Sequence, residues 1–296
     1  MRLYFLLVRR VPPVQSPVLA EVFDILEGRG FAVAAGIAEE MIHEAHALCP
    51  AHDLYVLKSH TELSLSLAGT LDAQGARVLN PYQSCATTQN KIVASRRLHA
   101  AGVPVPRTWV TGDLELLRPI VRVTPLVIKP YLGHRGIGVH VVRSLSDLSR
   151  VPSPGGPVVA QEYVEGDGED VKLYVVGDEV FSVRKPFSSE SFTLPGRPCA
   201  VSPELRDIAR RAGRALRLGL YGLDVVEGSK GPIVVDANYF PGYKGVAGAA
   251  ARIASYIERY ARGEIALEDP GPVEGDPVTR VKTAPRARGA MTGMGV

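Results

Sequence analysis

The chain has 296 residues, 46% of them hydrophobic, and a net charge of +3. That is enough apolar material for a sizeable core in two or three lobes, and too little excess base for bulk attraction to nucleic acid or a membrane, so any bound anion must meet a local cluster of cations. The cysteines Cys49, Cys85 and Cys199 are too scattered for a disulfide framework or a zinc site, and no secretory h-region or long apolar window is present, which points to the cytoplasm.

Residues 2–8 are a hydrophobic run expected to form a buried strand, and residues 17–27 place Val18, Val22, Ile25 and Leu26 on one helical face. Further strands are expected at 31–34 and 53–57. Strand, helix, strand order predicts a small α/β domain over residues 1–79. Arg9 leaves the first strand at its carboxyl end and Lys58 leaves the third, the edge at which open parallel sheets bind ligands.

A helix carrying Lys91 is expected over 84–101, followed by a linker stiffened by Pro104 and Pro106, so residues 80–110 separate two lobes. The central lobe, 111–185, contains a strand ending on Lys129 and then a loop with His134 and the glycines Gly133, Gly136 and Gly138. Such a loop can fold backbone N–H groups over phosphates. It lacks the Lys-Ser/Thr of a P-loop and opens no helix, which excludes P-loop and Rossmann readings. The next strand carries Gln161, Glu162, Tyr163 and Val164, and an acidic turn containing Glu169 and Asp170 follows. Residues 171–177 and 180–185 are expected to pair around Gly177-Asp178, with Lys172 alternating off the apolar face and Arg184 and Lys185 at the strand end.

The C-terminal lobe, 186–263, carries the chemistry that orders the rest. Asp224 sits in an apolar run, where a carboxylate is costly unless paired or metal-bound. The short loop 227–232 predicts a hairpin that brings Asp224 beside Asp236 and Asn238, which alternation places on one face. Three hard oxygen ligands without His or Cys indicate Mg²⁺ and phosphate. Pro241, Gly242 and Gly245 then let the backbone approach a ligand closely. Beyond a helix at 247–261, residues 264–296 are poor in apolar side chains and are expected to be disordered.

In this order, the Lys-bearing helix, strand-end lysine, Gly-rich loop, Gln-Glu-Tyr-Val strand, hairpin and Asp…Asp-x-Asn set resemble the ATP-grasp superfamily over about residues 80–262. The resemblance implies an α/β (α+β) fold with two lobes clamping ATP behind the N-terminal domain. It implies Lys91, Lys129 and Gly136 on the phosphates, Gln161 to Val164 along the adenine, and Glu169 or Asp170 at the ribose. Asp224, Asp236 and Asn238 would hold Mg²⁺.

Two relatives within that superfamily differ in reaction. Val171 to Gly177 and Asp236 to Gly245 are similar to segments of inositol tris/tetrakisphosphate kinases, as is the spacing from Lys129 to His134. The Gly138-Val139 ending of the loop is similar to RimK-like ligases, which join a carboxylate to an amine through an acyl phosphate and usually carry Asp-Ile-Arg where this chain has the Val171 to Gly177 segment. The kinase resemblance is the stronger of the two and implies a small anionic acceptor. Its phosphates would meet Lys172, Lys185, Arg184, Lys244, Lys58 and Arg9, with His134, Lys172 and Lys185 nearest the transfer. A non-catalytic relative is disfavoured because both lysines and all three metal ligands are present. The sequence leaves the oligomeric state open.

Overall fold

The computed structural model describes residues 1–9, 16–133, 137–153, 155–186 and 196–271. Parallel strands β1 (Arg2–Leu7), β2 (Ala32–Ile37), β3 (Leu54–Lys58) and β4 (Val78–Leu79) form a sheet in the order β2-β1-β3-β4, with helices α1 (Pro17–Gly28) and α2 (Glu62–Asp72) in the crossovers. Leu3, Phe5, Val22 and Leu26 are fully buried here, as their spacing predicts.

The helix expected over 84–101 is instead two, α3 (Tyr82–Gln89) and α4 (Lys91–Ala100). Asn90 adopts an extended conformation and its side-chain oxygen accepts from the N–H groups of Ile92 and Val93, so it ends one helix and caps the next. Lys91 therefore lies in the first turn of α4, with its own N–H donated to Tyr131 O at 3.0 Å.

A second, antiparallel sheet in the order β5-β8-β6-β7 joins β5 (Thr108–Thr111), β6 (Leu126–Pro130), β7 (His140–Val142) and β8 (Val158–Glu162), with the short helices α5 (Arg118–Val121) and α6 (Leu145–Arg150). It has its own small core, including Leu126, Ile128, Val142 and Val158.

The third sheet, β11-β10-β9-β12-β13, contains β9 (Glu169–Val176), β10 (Glu179–Pro186), β11 (Arg197–Cys199), β12 (Leu220–Gly228) and β13 (Gly231–Tyr239). It corrects the lobe boundary expected at 185, because β9 and β10 pair with β12 and belong with the C-terminal strands. The division falls instead between β8 and β9. Helices α7 (Pro203–Leu216) and α8 (Ala249–Ala261) complete the fold, and the hydrophobic core of this unit is continuous with that of the N-terminal sheet.

Of the segment expected to be disordered, 264–271 packs on the body: Ile265 and Leu267 contact the core and Arg217 Nε donates to Leu267 O at 2.9 Å. Residues 272–296 lie outside the described residues. No helix among the described residues is long and apolar enough to cross a membrane.

Candidate active site

The site is built on alternate residues of the five-stranded sheet. Register sets Lys172, Asp224 and Asp236 side by side on β9, β12 and β13, with Asp170 opposite Lys185 in the next row and Asn238 opposite Gly222 on the far side. The expected hairpin is present, and it is longer at both ends than the β-branched runs suggest, turning at Ser229-Lys230.

Cations come to this row from three directions. Lys91 Nζ lies 2.5 Å from Asp236 Oδ1. Lys129, at the end of β6, donates to Val235 O at 2.9 Å. Lys172 bridges Asp170 at 2.8 Å and Asp224 at 2.9 Å.

The titration of these groups follows from that geometry. Burial presses the Asp224 carboxyl upward, and nearby Asp236 adds to it, although Lys172 opposes both. Burial acts the same way on Asp236, but Lys91 and Lys129 outweigh it and hold Asp236 below the ordinary range. Lys172 is raised: burial opposes its charge, and the two carboxylates overcome that opposition. One ammonium is thus shared between Asp170 and Asp224. Burial lowers Lys129, as it does Lys185, which also feels Lys172 and Lys244.

A divalent ion fits this donor set. Asp224 and Asp236 are neighbours on adjacent strands with side chains 24% and 28% exposed, Asn238 shares their face, and Asp170 Oδ1 is buried without a hydrogen-bond partner among the described residues. Two half-buried carboxylates and an amide oxygen suit Mg²⁺, which takes its other ligands from water and phosphate.

The segment after Asn238 is held under strain. Phe240 and Tyr243 have φ of 35° and 49°, in the left-handed region that bulky residues avoid. Both are buried, and the Tyr243 hydroxyl donates to Val175 O at 2.7 Å. Gly245 allows a close backbone approach as expected, but to Gly196: a Cβ there would lie 2.7 Å from Gly196 O. Gly242 has no such neighbour, its nearest atom being Lys244 Cγ at 3.8 Å.

Several expected contacts are corrected. Asp170 shares a strand face with Lys172 and pairs with it at 2.8 Å. Glu169 and Arg184 alternate to the opposite face, where Arg184 pairs with Asp167, Glu169 and Glu227, so Arg184 does not join the acceptor cations. Arg9 is exposed and paired with Glu40 at 2.8 Å. Lys172 does face the cleft, but its charge is engaged by two carboxylates. His134 and Gly136 lie outside the described residues.

Gln161 is buried on β8 with its amide 3.4 Å from Thr108 Oγ1. Glu162 is exposed, the Tyr163 ring lies beneath Arg143 at 4.8 Å, and Val164 runs beside Gly228 at the hairpin turn.

The N-terminal domain contributes Lys58, expected at the carboxyl end of the third strand, and beside it His60, which sequence reasoning did not assign. The corner after β3 reaches the metal strand: Lys58 lies 5.1 Å from the centre of the Phe240 ring, and His60 stacks on Tyr239 at 4.4 Å. A pocket of about 230 Å³ opens between this corner, the end of α3, the start of the Gly-rich loop and Asn238. The carboxyl end of the third strand was the available signal.

The RimK-like ATP-grasp domain family matches residues 88–258, a span that holds Lys91, Lys129, Lys172 and all three metal candidates. A ribosomal protein bS6–L-glutamate ligase from Shigella flexneri is 27% identical over 217 residues, covering 67% of this chain and 72% of the relative. Among solved structures, a RimK domain ATP-grasp protein from Sphaerobacter thermophilus superposes with a TM-score of 0.71 at 19% identity, covering 86% of this chain and 99% of that one. A D-alanine–D-alanine ligase from Bacillus anthracis, in complex with ATP, gives 0.66 at 17% identity over 89% of this chain and 99% of that one. At such identities these likenesses are of fold, and the fold is that of ATP-grasp ligases.

Proposed function

Because the chain belongs to the RimK-like ATP-grasp family, we propose that it is an ADP-forming ligase that joins a carboxylate to an amine. The observation that carries this reading is that the family match encloses the whole cluster of Lys91, Lys129, Lys172, Asp224, Asp236 and Asn238. The inositol-phosphate kinase expected from the segment resemblances finds no support in the comparisons, and the relatives' names are those of ligases. The position compared with kinases at Lys172 fits the ligase pattern equally well. Asp170-Val-Lys172 keeps an acid and a base two residues apart on one strand face, as Asp-Ile-Arg does, with lysine in place of arginine.

In this reading Lys91 and Lys129 exchange their present partners, Asp236 and Val235 O, for ATP phosphate oxygens, and Gln161 to Val164 lie along the base. Asp224, Asp236 and Asn238 hold Mg²⁺, which when bound offsets charge on the transferring phosphoryl group. Lys172, Lys185 and Lys244 give the carboxylate substrate a cationic seat. Its oxygen attacks the γ-phosphorus as the bond to the β–γ bridging oxygen breaks, and ADP leaves with that electron pair. The amine nitrogen then attacks the acyl carbon, the carbon–oxygen bond to phosphate breaks, phosphate departs, and the amine's proton passes to solvent.

The products separate the two chemistries. A ligase releases one inorganic phosphate with each ADP, whereas a kinase retains the phosphoryl group on its acceptor. Purified protein with ATP, Mg²⁺, free amino acids and carboxyl-terminal peptides is expected to release ADP and phosphate in equal amounts and to form a new amide by mass spectrometry. ADP formed without phosphate, stimulated by inositol phosphates, would overturn the reading.

A further inference from the structure

We propose that the outer edge of β2 (Ala32–Ile37) is an interaction surface for a second copy of this chain, which pairs with it antiparallel about a two-fold axis and joins the two N-terminal sheets into one.

This edge is unguarded. A row of open backbone N–H and C=O groups invites another strand, and soluble proteins blunt such edges with charge, proline, bulges or short length. Among the described residues the other outer strands are protected in these ways. β4 has two residues, β7 three, β5 four, and β11 three that include Arg197 and Pro198. β13 begins Gly231-Pro232 and is bonded outside its sheet, Val234 N–H donating to Pro104 O and Lys129 to Val235 O. By contrast β2 runs six residues in unbroken register with β1, and its sequence Ala-Val-Ala-Ala-Gly-Ile holds neither charge nor proline. Ala32, Ala34 and Ala35 are exposed.

The open groups set the register. Ala32 N–H donates to Met1 O at 3.0 Å, so by the two-residue period Ala32, Ala34 and Gly36 turn their backbone groups to β1, and Val33, Ala35 and Ile37 turn theirs outward. No hydrogen bond among the described residues reaches those outward groups. A two-fold axis through Ala35 sets Ala35 opposite its own copy and Val33 opposite Ile37 across the axis, and each opposed pair exchanges both of its backbone hydrogen bonds. The side chains raise no barrier, because Ala34 then meets Gly36 on one face and Val33 meets Ile37 on the other.

Charge selects a copy of the same strand as the partner. Glu39 and Glu40 follow β2 at its carboxyl end, and only Glu40 has an ion pair among the described residues, with Arg9. At the amino end Arg29 and Arg262 share the carboxylate of Glu258, and the Arg262 guanidinium lies over the Phe31 ring at 5.5 Å. One end of the strand thus carries an excess of acid and the other an excess of base. Antiparallel pairing with a copy brings each acidic end to a basic one, and the contact closes on itself as a two-fold dimer. The exposed apolar side chains of Met41 and Ile42 stand at the acidic end of the same edge.

Light scattering on the full chain, with Ala35→Lys and Ala35→Pro beside it, tests the pairing. Both substitutions fall on an exposed side chain whose backbone groups turn away from β1, and proline is tolerated on an edge strand where its N–H would face outward. Wild type is expected at twice the chain mass or a higher even multiple, and each variant at half the wild-type mass with its circular dichroism kept. Ala35→Lys mixed with Ala35→Glu is expected to recover the wild-type mass, since the axis sets the two new charges opposite one another, a result that misfolding alone does not give. A monomeric wild type, an odd multiple, variants of undiminished mass, or a mixture that stays at half mass would overturn the proposal. Should a variant fail to fold, amide hydrogen exchange on the assembled wild type decides by itself. Val33, Ala35 and Ile37 are expected to be protected to within about tenfold of Ala34, and free exchange at those three amides would overturn the pairing.

Discussion

The two faces of the five-stranded sheet share the same strands and have opposite contents. Val171, Leu173 and Val175 on β9, with Tyr221, Leu223 and Val225 on β12, are at most 2% exposed and lie on the side covered by α7, where the Tyr221 hydroxyl donates to Ala209 O. The residues between them, Asp170, Lys172 and Asp224, carry the ion cluster. Stability and chemistry are thus interleaved one residue at a time, and substitutions on alternate positions should affect one property and spare the other.

The largest expected effect is on the charged face. Asp236→Asn should lower kcat by about 10²-fold or more, since a metal's charge stabilisation is worth several kcal/mol and each 1.4 kcal/mol is tenfold, while thermal unfolding stays cooperative. Unchanged turnover in this variant would break the division between the faces. On the opposite face, Leu223→Ala should cost about 2–5 kcal/mol in chemical denaturation, by removing fully buried side-chain volume. Its ATP affinity, measured where it remains folded, should match the wild type.

Lys129 lies outside this sheet and tests how far the charged face depends on its neighbour. Lys129→Ala should weaken ATP binding roughly 10- to 100-fold, the loss of one charge-assisted contact worth about 1.5–3 kcal/mol. Its pH dependence has a defined sign. Burial lowers Lys129 from the ordinary 10.5, so its ammonium is lost earlier than usual as pH rises. ATP affinity should therefore decline on the alkaline side, and Lys129→Arg, which keeps its charge, should move that decline to higher pH. The smallest effect belongs to Tyr221→Phe, which removes the bond to Ala209 O and should cost about 1 kcal/mol of stability with no change in turnover.

How much of this was legible in the sequence depends on how far apart the partners lie. The Asp224–Asp236 pairing was readable because two β-branched runs flank a short Gly-rich loop, so local pattern sets the register. Lys129 was readable as the polar end of a hydrophobic strand. The break at Asn90 was missed because helical periodicity continues through it, and a cap shows itself in backbone angle more than in pattern. The ion pairs of Lys172 were not foreseen, since one of its carboxylates, Asp224, arrives from a strand about fifty residues on. For the contact of His60 with Tyr239 the position of His60 after the third strand was the one local signal, and its partner was unreadable because tertiary packing alone brings them together.

The buried side chain of Asn80 accepts from the N–H groups of Gly219 and Leu220 and donates to Leu220 O at 2.8 Å, stitching the end of β4 to the start of β12. The N-terminal sheet and the five-stranded sheet also share one continuous core, whereas the β5-β8-β6-β7 sheet keeps a separate one. The molecule is therefore jointed asymmetrically. The row of Lys172, Asp224 and Asp236 is anchored through the shared core to the N-terminal sheet, whereas Lys129 reaches it from a separately cored lobe through its bond to Val235 O.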